Sequence, residues 1–574
     1  MEYQKLAPLL RIAYKEYLDG DVQTLRRRSN ALGFAHVDEA IENSLMLISL
    51  ECDPGASLDE LCDDFGLILR RGSGASIRTG IAPISSISAI TDSPSVRYVA
   101  SSPPLRSKID DAARTIGINP LRGRGDNPDL DGSNVIVGII DSGIDAGHPA
   151  FQGRIDRVWD QSVPGDGVPG AAYGVELTGP QIHQCRDVDG HGTHVAGIAA
   201  GAGLYLGVAP AARLVIVKLP EVKSGNMLLD GVDYIFRYAD QVEMPAVVNI
   251  SLGNHFGPHD GTSHFSGRVN ELTEEGRIIC CAAGNEGLDV IHSGPTLVDG
   301  KVSDVYLHPV KGDTYVSGWY SAEDDIGVSV VSPSGGTTDI EHGQYSASAW
   351  TFPDGTVEIS RGDGPGGDRS IELVFKNVRP HDFMGTQVVW NIRLHGRAIR
   401  KGRVDLWVED EGGSRFAGPD ANSSMTVCQP ADANSAVAVA AYTTKVGWTS
   451  ANGARMKARF KLNDVCDFSS EGPRRDGASK PDVTAPGAVI VSCRSNHAQM
   501  DAHSVIDAEH CVMYGTSMAA PFVSGAVALM LQADPTLAPA AVISKLSALS
   551  SVPAHPSGTF HPKWGYGLVD LSQI

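Results

Sequence analysis

The sequence predicts an α/β protein. A three-layer core with a mostly parallel sheet is preceded by a small α+β domain and interrupted by an all-β insertion. Three observations predict this. Apolar runs suited to buried strands alternate with helical patterns over residues 131–290, and the pattern resumes from about 433. Short alternating runs separated by Gly, Pro and Asp fill 290–425, where helical periodicity is scarce. Residues 44–100 read in the order βαββαβ.

Each element has its own signal. From Gln4 to Leu18, Leu6, Leu9, Leu10, Ala13 and Tyr14 recur at helical spacing. Leu45 to Leu50 is a strand, Leu58 to Phe65 a short helix, and Leu67–Leu69 and Ile77–Ile81 two strands. A helix over Ile84–Ile90 and a strand over Val96–Ala100 complete a ferredoxin-like split motif. Ser101-Ser102-Pro103-Pro104 then punctuates the chain as a linker. Buried strands follow at Val135–Ile140, Leu214–Leu219, Ala246–Ile250 and Ile278–Ala283. The runs Ile326–Val331, Thr356–Ile359, Ile371–Phe375, Val388–Leu394 and Val404–Val408 read as an inserted, jelly-roll-like β-sandwich. A helix runs from Ser517 through Met530. The expected divisions are 1–43 (helical extension), 44–110 (small α+β domain), 111–289 with 426–574 (core) and 290–425 (insertion).

Composition narrows the function. At 574 residues the chain is long enough for several domains, and 42% hydrophobic with 20% charged content reads as globular. A net charge of −21 argues against nucleic-acid binding, which needs a basic face. The N-terminus has charges at Lys5, Arg11, Lys15 and Glu16 in place of a signal-type apolar core, and no run is long enough to span a membrane. Nine scattered cysteines form neither a disulfide framework nor a zinc-ligand spacing. A reducing, cytoplasmic setting is expected, with non-classical export as the alternative.

Four Gly-flanked turns carry the chemistry. Asp141 ends a buried strand, at the edge that faces the crevice in parallel sheets; alone it would read as a loop cap. His191 lies between two glycines, and His194 follows at i+3; a shared metal is the alternative, but no Glu stands between them and no third ligand is near. His194 reads as structural. Asn285 follows a strand, where it can cap the turn or aim its amide at developing negative charge. Ser517 heads an alanine-rich helix. Together they are the parts for acyl transfer. Ser517 attacks a carbonyl, His191 takes and returns the proton, Asp141 holds the imidazole, and Asn285 with the Ser517 backbone N–H binds the oxyanion.

The chain order Asp, His, Ser resembles the subtilisin family. Asp141-Ser142-Gly143, His191-Gly192-Thr193-His194 and Gly515-Thr516-Ser517-Met518-Ala519-Ala520-Pro521 resemble its three active-site motifs. Asn249 to Gly253, Lys480 to Gly487 and Gly565 to Asp570 add lesser matches, so the likeness covers about 131–289 and 430–574. It implies a serine endopeptidase with a polypeptide substrate and no required cofactor. It further implies that Ser251, Leu252 and Gly253 pair with an extended substrate, that Thr516 is an auxiliary oxyanion donor, and that Glu286 rims the S1 pocket and favours polar or basic P1 side chains. Residues 44–100 resemble the family's propeptide, an inhibitor and chaperone cut off somewhere between about 101 and 130; a permanent regulatory domain is the alternative. Ala150 stands where many subtilisins have a calcium-binding Asp, which puts that site in doubt and leaves any calcium ligands unassigned. The insertion resembles one in some clostridial spore-germination subtilases, a likeness that carries no substrate with it.

Other readings are a processing protease for one partner protein, a pseudoprotease used as a binding module, and an esterase. All four of Asp141, His191, Asn285 and Ser517 are intact, which disfavours the pseudoprotease. The peptide-pairing segment disfavours the esterase.

Overall fold

The computed structural model describes residues 2–20, 32–38, 40–70, 76–101, 104–107, 130–221, 223–310, 312–343, 345–379, 388–410 and 413–570. Helix α1 spans Pro8–Asp19 and ends at Gly20 in the left-handed conformation. It starts later than the periodicity predicts. Pro8 sits in its first turn, where a missing N–H costs nothing, and the Ala7 N–H is already donated to the Val99 carbonyl at 2.8 Å.

The expected βαββαβ elements are present as Leu45–Cys52, Asp59–Phe65, Ile68–Arg70, Ile77–Pro83, Ile87–Asp92 and Val96–Ser101. Leu45–Cys52 pairs antiparallel with both Val96–Ser101 and Ile77–Pro83, and Ile77–Pro83 pairs with Ile68–Arg70. The apolar core beneath this sheet takes in α1. It also takes in Phe256, Tyr315 and Val374 from later in the chain, so it is shared and not self-contained. Strand β1, Pro104–Ser107, leaves this region and lies between two other segments.

Among the described residues, the central sheet has ten strands. Strand β2, Ile136–Asp141, runs parallel between Arg213–Lys218 and Ala246–Ile250. The parallel series continues through Arg277–Ala282, Val437–Thr443 and Val483–Ala488. All six residues of β2 are buried, as a strand covered on both faces requires. Helix α2 (His191–Ala200) lies on one face with a long C-terminal helix, while Gly225–Gln241 and His264–Leu272 cover the other. A two-residue strand, β3 (Leu252–Gly253), follows Ala246–Ile250 directly.

Among the described residues, the insertion forms two antiparallel sheets, of seven and four strands, around one apolar core. Its strand β4, Val404–Glu409, alternates: Val404, Leu406 and Val408 enter that core, so Asp405, Trp407 and Glu409 face the opposite way. The N-terminal helix binds the insertion's outer strands. Lys376 pairs with both Glu16 and Glu358, all three buried, and Arg11 donates to the Arg361 carbonyl while lying 5.1 Å from the Tyr345 ring centre.

Helix α3, Thr516–Ala533, closes the core. By length and composition it could cross a membrane, but 83% of it is buried inside the protein, where it serves as a core helix.

Candidate active site

Two loops at the carboxyl end of the central sheet bring Asp141 and His191 together. Asp141 is the last residue of β2, and its Oδ1 accepts the Ser142 N–H at 2.7 Å and faces His191 Nδ1 at 2.7 Å. Both side chains are fully buried. Burial pulls the His191 pKa down, but the charge and hydrogen bond of Asp141 outweigh it, so the net shift is upward. His191 opens α2 after Gly190, whose φ of +90° is a left-handed turn.

Asp187 ties these loops to each other. Its carboxylate accepts Ser142 Oγ at 2.8 Å, Gly190 N at 2.8 Å, Thr193 N at 2.8 Å and Thr193 Oγ1 at 2.6 Å. Ser142 Oγ in turn accepts the Gly192 N–H at 2.9 Å. The approach is close enough that a Cβ on Gly192 would lie 2.2 Å from the Gly143 carbonyl oxygen. Sequence reasoning missed Asp187, although its place in Asp187-Val188-Asp189-Gly190-His191 was the available signal.

His194 points elsewhere. Its Nε2 lies 3.1 Å from the Ile490 carbonyl, and burial and the neighbouring His191 hold its pKa down at about 3. It is a neutral core histidine, as its place in the helix implies.

Ser517 is the second residue of α3. Gly515 precedes the helix at φ +146°, a conformation that disfavours side chains, and lets the chain turn sharply onto it. The first turn of a helix directs backbone N–H groups outward, toward any developing negative charge. Ser517 Oγ donates to the Ser251 carbonyl at 3.2 Å, and Ser251 Oγ donates to the Ser517 carbonyl at 2.9 Å. His191 Nε2 is buried and makes no hydrogen bond among the described residues, to Ser517 or to any other group. Catalytic hydrogen bonds are often long before substrate is aligned.

Asn285 follows Arg277–Ala282 and faces α3. Its Oδ1 accepts Thr516 N at 2.9 Å and Thr516 Oγ1 at 3.0 Å, which turns Nδ2 to the opposite side. The Thr516 hydroxyl therefore orients Asn285 in this structure. Glu286 does not simply line a rim: its Oε2 folds back to accept Asn285 N at 2.8 Å and Ser470 Oγ at 3.0 Å.

Ser251, Leu252 and Gly253 form the edge beside Ser517. β1 pairs antiparallel with β3, Ser107 opposite Leu252 and Arg106 opposite Gly253. On its other side Leu105 pairs with Lys223 and Pro104 with Ser224. An extended segment of the chain is thus held as the middle strand of three, its C-terminal end directed toward Ser251 and Ser517.

Ala150 is buried and donates its N–H to His148 Nδ1 at 3.1 Å, while His148 Nε2 lies 2.8 Å from the Glu509 carbonyl. His148, Glu509 and His510 are close enough to share an ion, but both His148 nitrogens are already engaged.

The sequence pattern of the subtilase family matches residues 132–303 and 393–567, more than half of the chain. The minor extracellular protease Vpr of Bacillus subtilis is 25% identical over 455 residues, covering 75% of this chain and 49% of Vpr. Subtilisin E of the same organism is 32% identical over 237 residues, 39% of this chain and 53% of that protein. The chain thus spans about half the length of these relatives. Among solved structures, the CspB protease of Clostridium perfringens matches with a TM-score of 0.64 and 25% identity, covering 78% of this chain and 95% of that one. The fold, the order of the three motifs and these likenesses agree: the chain belongs to the subtilase family.

Proposed function

We propose that the protein is a serine endopeptidase, with Ser517 as nucleophile, His191 as general base and acid, Asp141 as its orienting carboxylate, and Asn285 with the Ser517 backbone N–H as the oxyanion site. The observation that carries this reading is the ladder between β1 and β3, a peptide strand held antiparallel on the edge that leads to Ser517. The Ser517 hydroxyl proton passes to His191 as Oγ attacks the peptide carbonyl, and His191 then protonates the leaving amine; water reverses the sequence on the acyl-enzyme. Thr516 supports the oxyanion site by orienting Asn285.

The same ladder supports synthesis as a self-processing zymogen. In this reading residues 44–110 act as a ferredoxin-like inhibitory propeptide, and the bond cut lies a few residues beyond Ser107. Most of the stretch expected to contain that cut, 108–129, lies outside the described residues. Contact between the insertion and the loop after β3 favours a narrow processing protease over a broad one, because it hems in the substrate edge. The Bacillus relative, an extracellular protease by name, weighs against the expected cytoplasmic location. Ser517→Ala is the test. The full chain stays uncut and casein cleavage is lost, with folding kept; an N-terminus generated near Ser107 in that variant would refute the reading.

A further inference from the structure

The loop after β3 reads Asn254-His255-Phe256-Gly257-Pro258-His259. His255 is almost wholly buried, and its Nε2 lies 3.1 Å from Glu286 Oε2. Neither ring nitrogen makes a hydrogen bond among the described residues, so the close approach to the carboxylate is held by packing. Glu286 Oε2 is the same atom that accepts the Asn285 N–H.

The packing comes from the insertion. The His255 ring stacks on His259 with centres 5.2 Å apart and planes 5° apart, and His259 stacks on Trp407 at 4.2 Å and 10°. Burial drives the His259 pKa well down, leaving the middle ring neutral and free to stack. Its Nδ1 lies 2.9 Å from the Val427 carbonyl. Trp407 Nε1 donates to the Met425 carbonyl at 2.8 Å, and His292 tilts against its ring at 4.9 Å while facing Asp405 Oδ1 at 3.1 Å. Glu409, on the same face of β4, accepts the His255 backbone N–H at 2.9 Å. The outward face of one inserted strand therefore fixes both the ring and the backbone of His255.

We propose that His255 is a positioning residue for the oxyanion site: the stack from Trp407 through His259 presses it on Glu286, and Glu286 fixes the backbone of Asn285. The insertion is thereby a structural part of the catalytic site and not an appended module. This rests on the reading of Asn285 as the oxyanion donor.

The test is a mutant cycle on processed enzyme expressed from the full chain, with kcat per titrated active site, KM, and inhibition by a peptide boronic acid, which forms a tetrahedral adduct on serine. His255→Phe keeps the stack and removes the nitrogen. It lowers kcat and boronate affinity about tenfold, within the range for coupled neighbours, and leaves KM unchanged. His255→Gln, which puts a polar side chain back against Glu286, recovers most of the loss. In an Asn285→Ala background, His255→Phe has no further effect. An equal loss in both backgrounds, a change in KM alone, or no recovery with Gln would overturn the proposal. If Asn285→Ala itself left kcat intact, the oxyanion reading would fall instead.

Discussion

The two walls of the proposed site are supported in different ways. The Asp141–His191 wall is tied within the core domain, by one buried carboxylate, Asp187, that gathers hydrogen bonds from both loops. The Asn285 wall is propped from outside, through Glu286, His255 and His259, by Trp407 and Glu409 of the inserted domain, more than a hundred residues later in the chain. The first wall depends on hydrogen-bond donors close in sequence to the residues they hold. The second depends on the docking of two domains. Damage to the insertion should therefore reach one wall and spare the other.

The largest expected effect breaks the first wall outright. His191→Ala lowers kcat about 10⁶-fold, a magnitude established for subtilisin itself. Steady-state hydrolysis of a peptide ester checks it, and a loss below a hundredfold would remove His191 as the base. On the second wall, Asn285→Ala lowers kcat roughly 10²–10³-fold with KM kept, again the size known from subtilisin.

Asp187→Asn sharpens the contrast by loosening the first wall without removing a reacting group. The amide nitrogen cannot accept from Gly190 or Thr193, and stability falls by about 1–3 kcal/mol, the cost of leaving a buried donor unpaired. Thermal melting measures that. The acid limb of kcat/KM should move too. His191 must be neutral to act as base, and Asp141 raises its pKa above 6.5, so activity rises with pH through a point above that value. A loosened Asp141–His191 contact lowers that point. A variant with an unmoved limb would limit Asp187 to a structural role.

The smallest effect on activity is expected at a cavity of about 120 Å³ that the N-terminal region, core and insertion line together, beside the loop that carries His255. Glu372, on its wall, has its pKa pushed up by burial to about 8, with Ser317 Oγ donating to it at 2.9 Å. The native state therefore holds a proton that the unfolded chain releases near 4.5. The stability from that proton is full below 4.5, is lost progressively as pH rises toward 8, and is gone above it. Glu372→Gln should flatten the decline in melting temperature over that window; an unchanged slope would assign the decline to other groups.

The two walls also differed in how far they could be read in advance. Asp141, His191 and Ser517 each sit in a short glycine-flanked turn, so sequence pattern locates them, and the central strands show as continuous apolar runs. The orientation of Glu286 could not be read. It is set by Ser470 and His255, which are distant in sequence, and the expected S1 role gave no sign that its carboxylate turns back on Asn285. Thr516 likewise needed the position of Asn285 Oδ1. The helix at Pro8–Asp19 was legible as amphipathic, but its partner was not, because Lys376 and the strand edges it meets lie far along the chain. The alternation of Val404 to Glu409 was visible. Which domain would receive its outward Trp407 and Glu409 depended on how the insertion docks.

The central claim is that Ser517 is a nucleophile activated by His191. Treating the purified, processed protein with a fluorophosphonate and mapping the adduct by mass spectrometry tests it most directly. The account predicts one adduct, on Ser517, formed rapidly in the wild type and abolished in His191→Ala. An adduct on another residue, or equal labelling of Ser517 without His191, would contradict it.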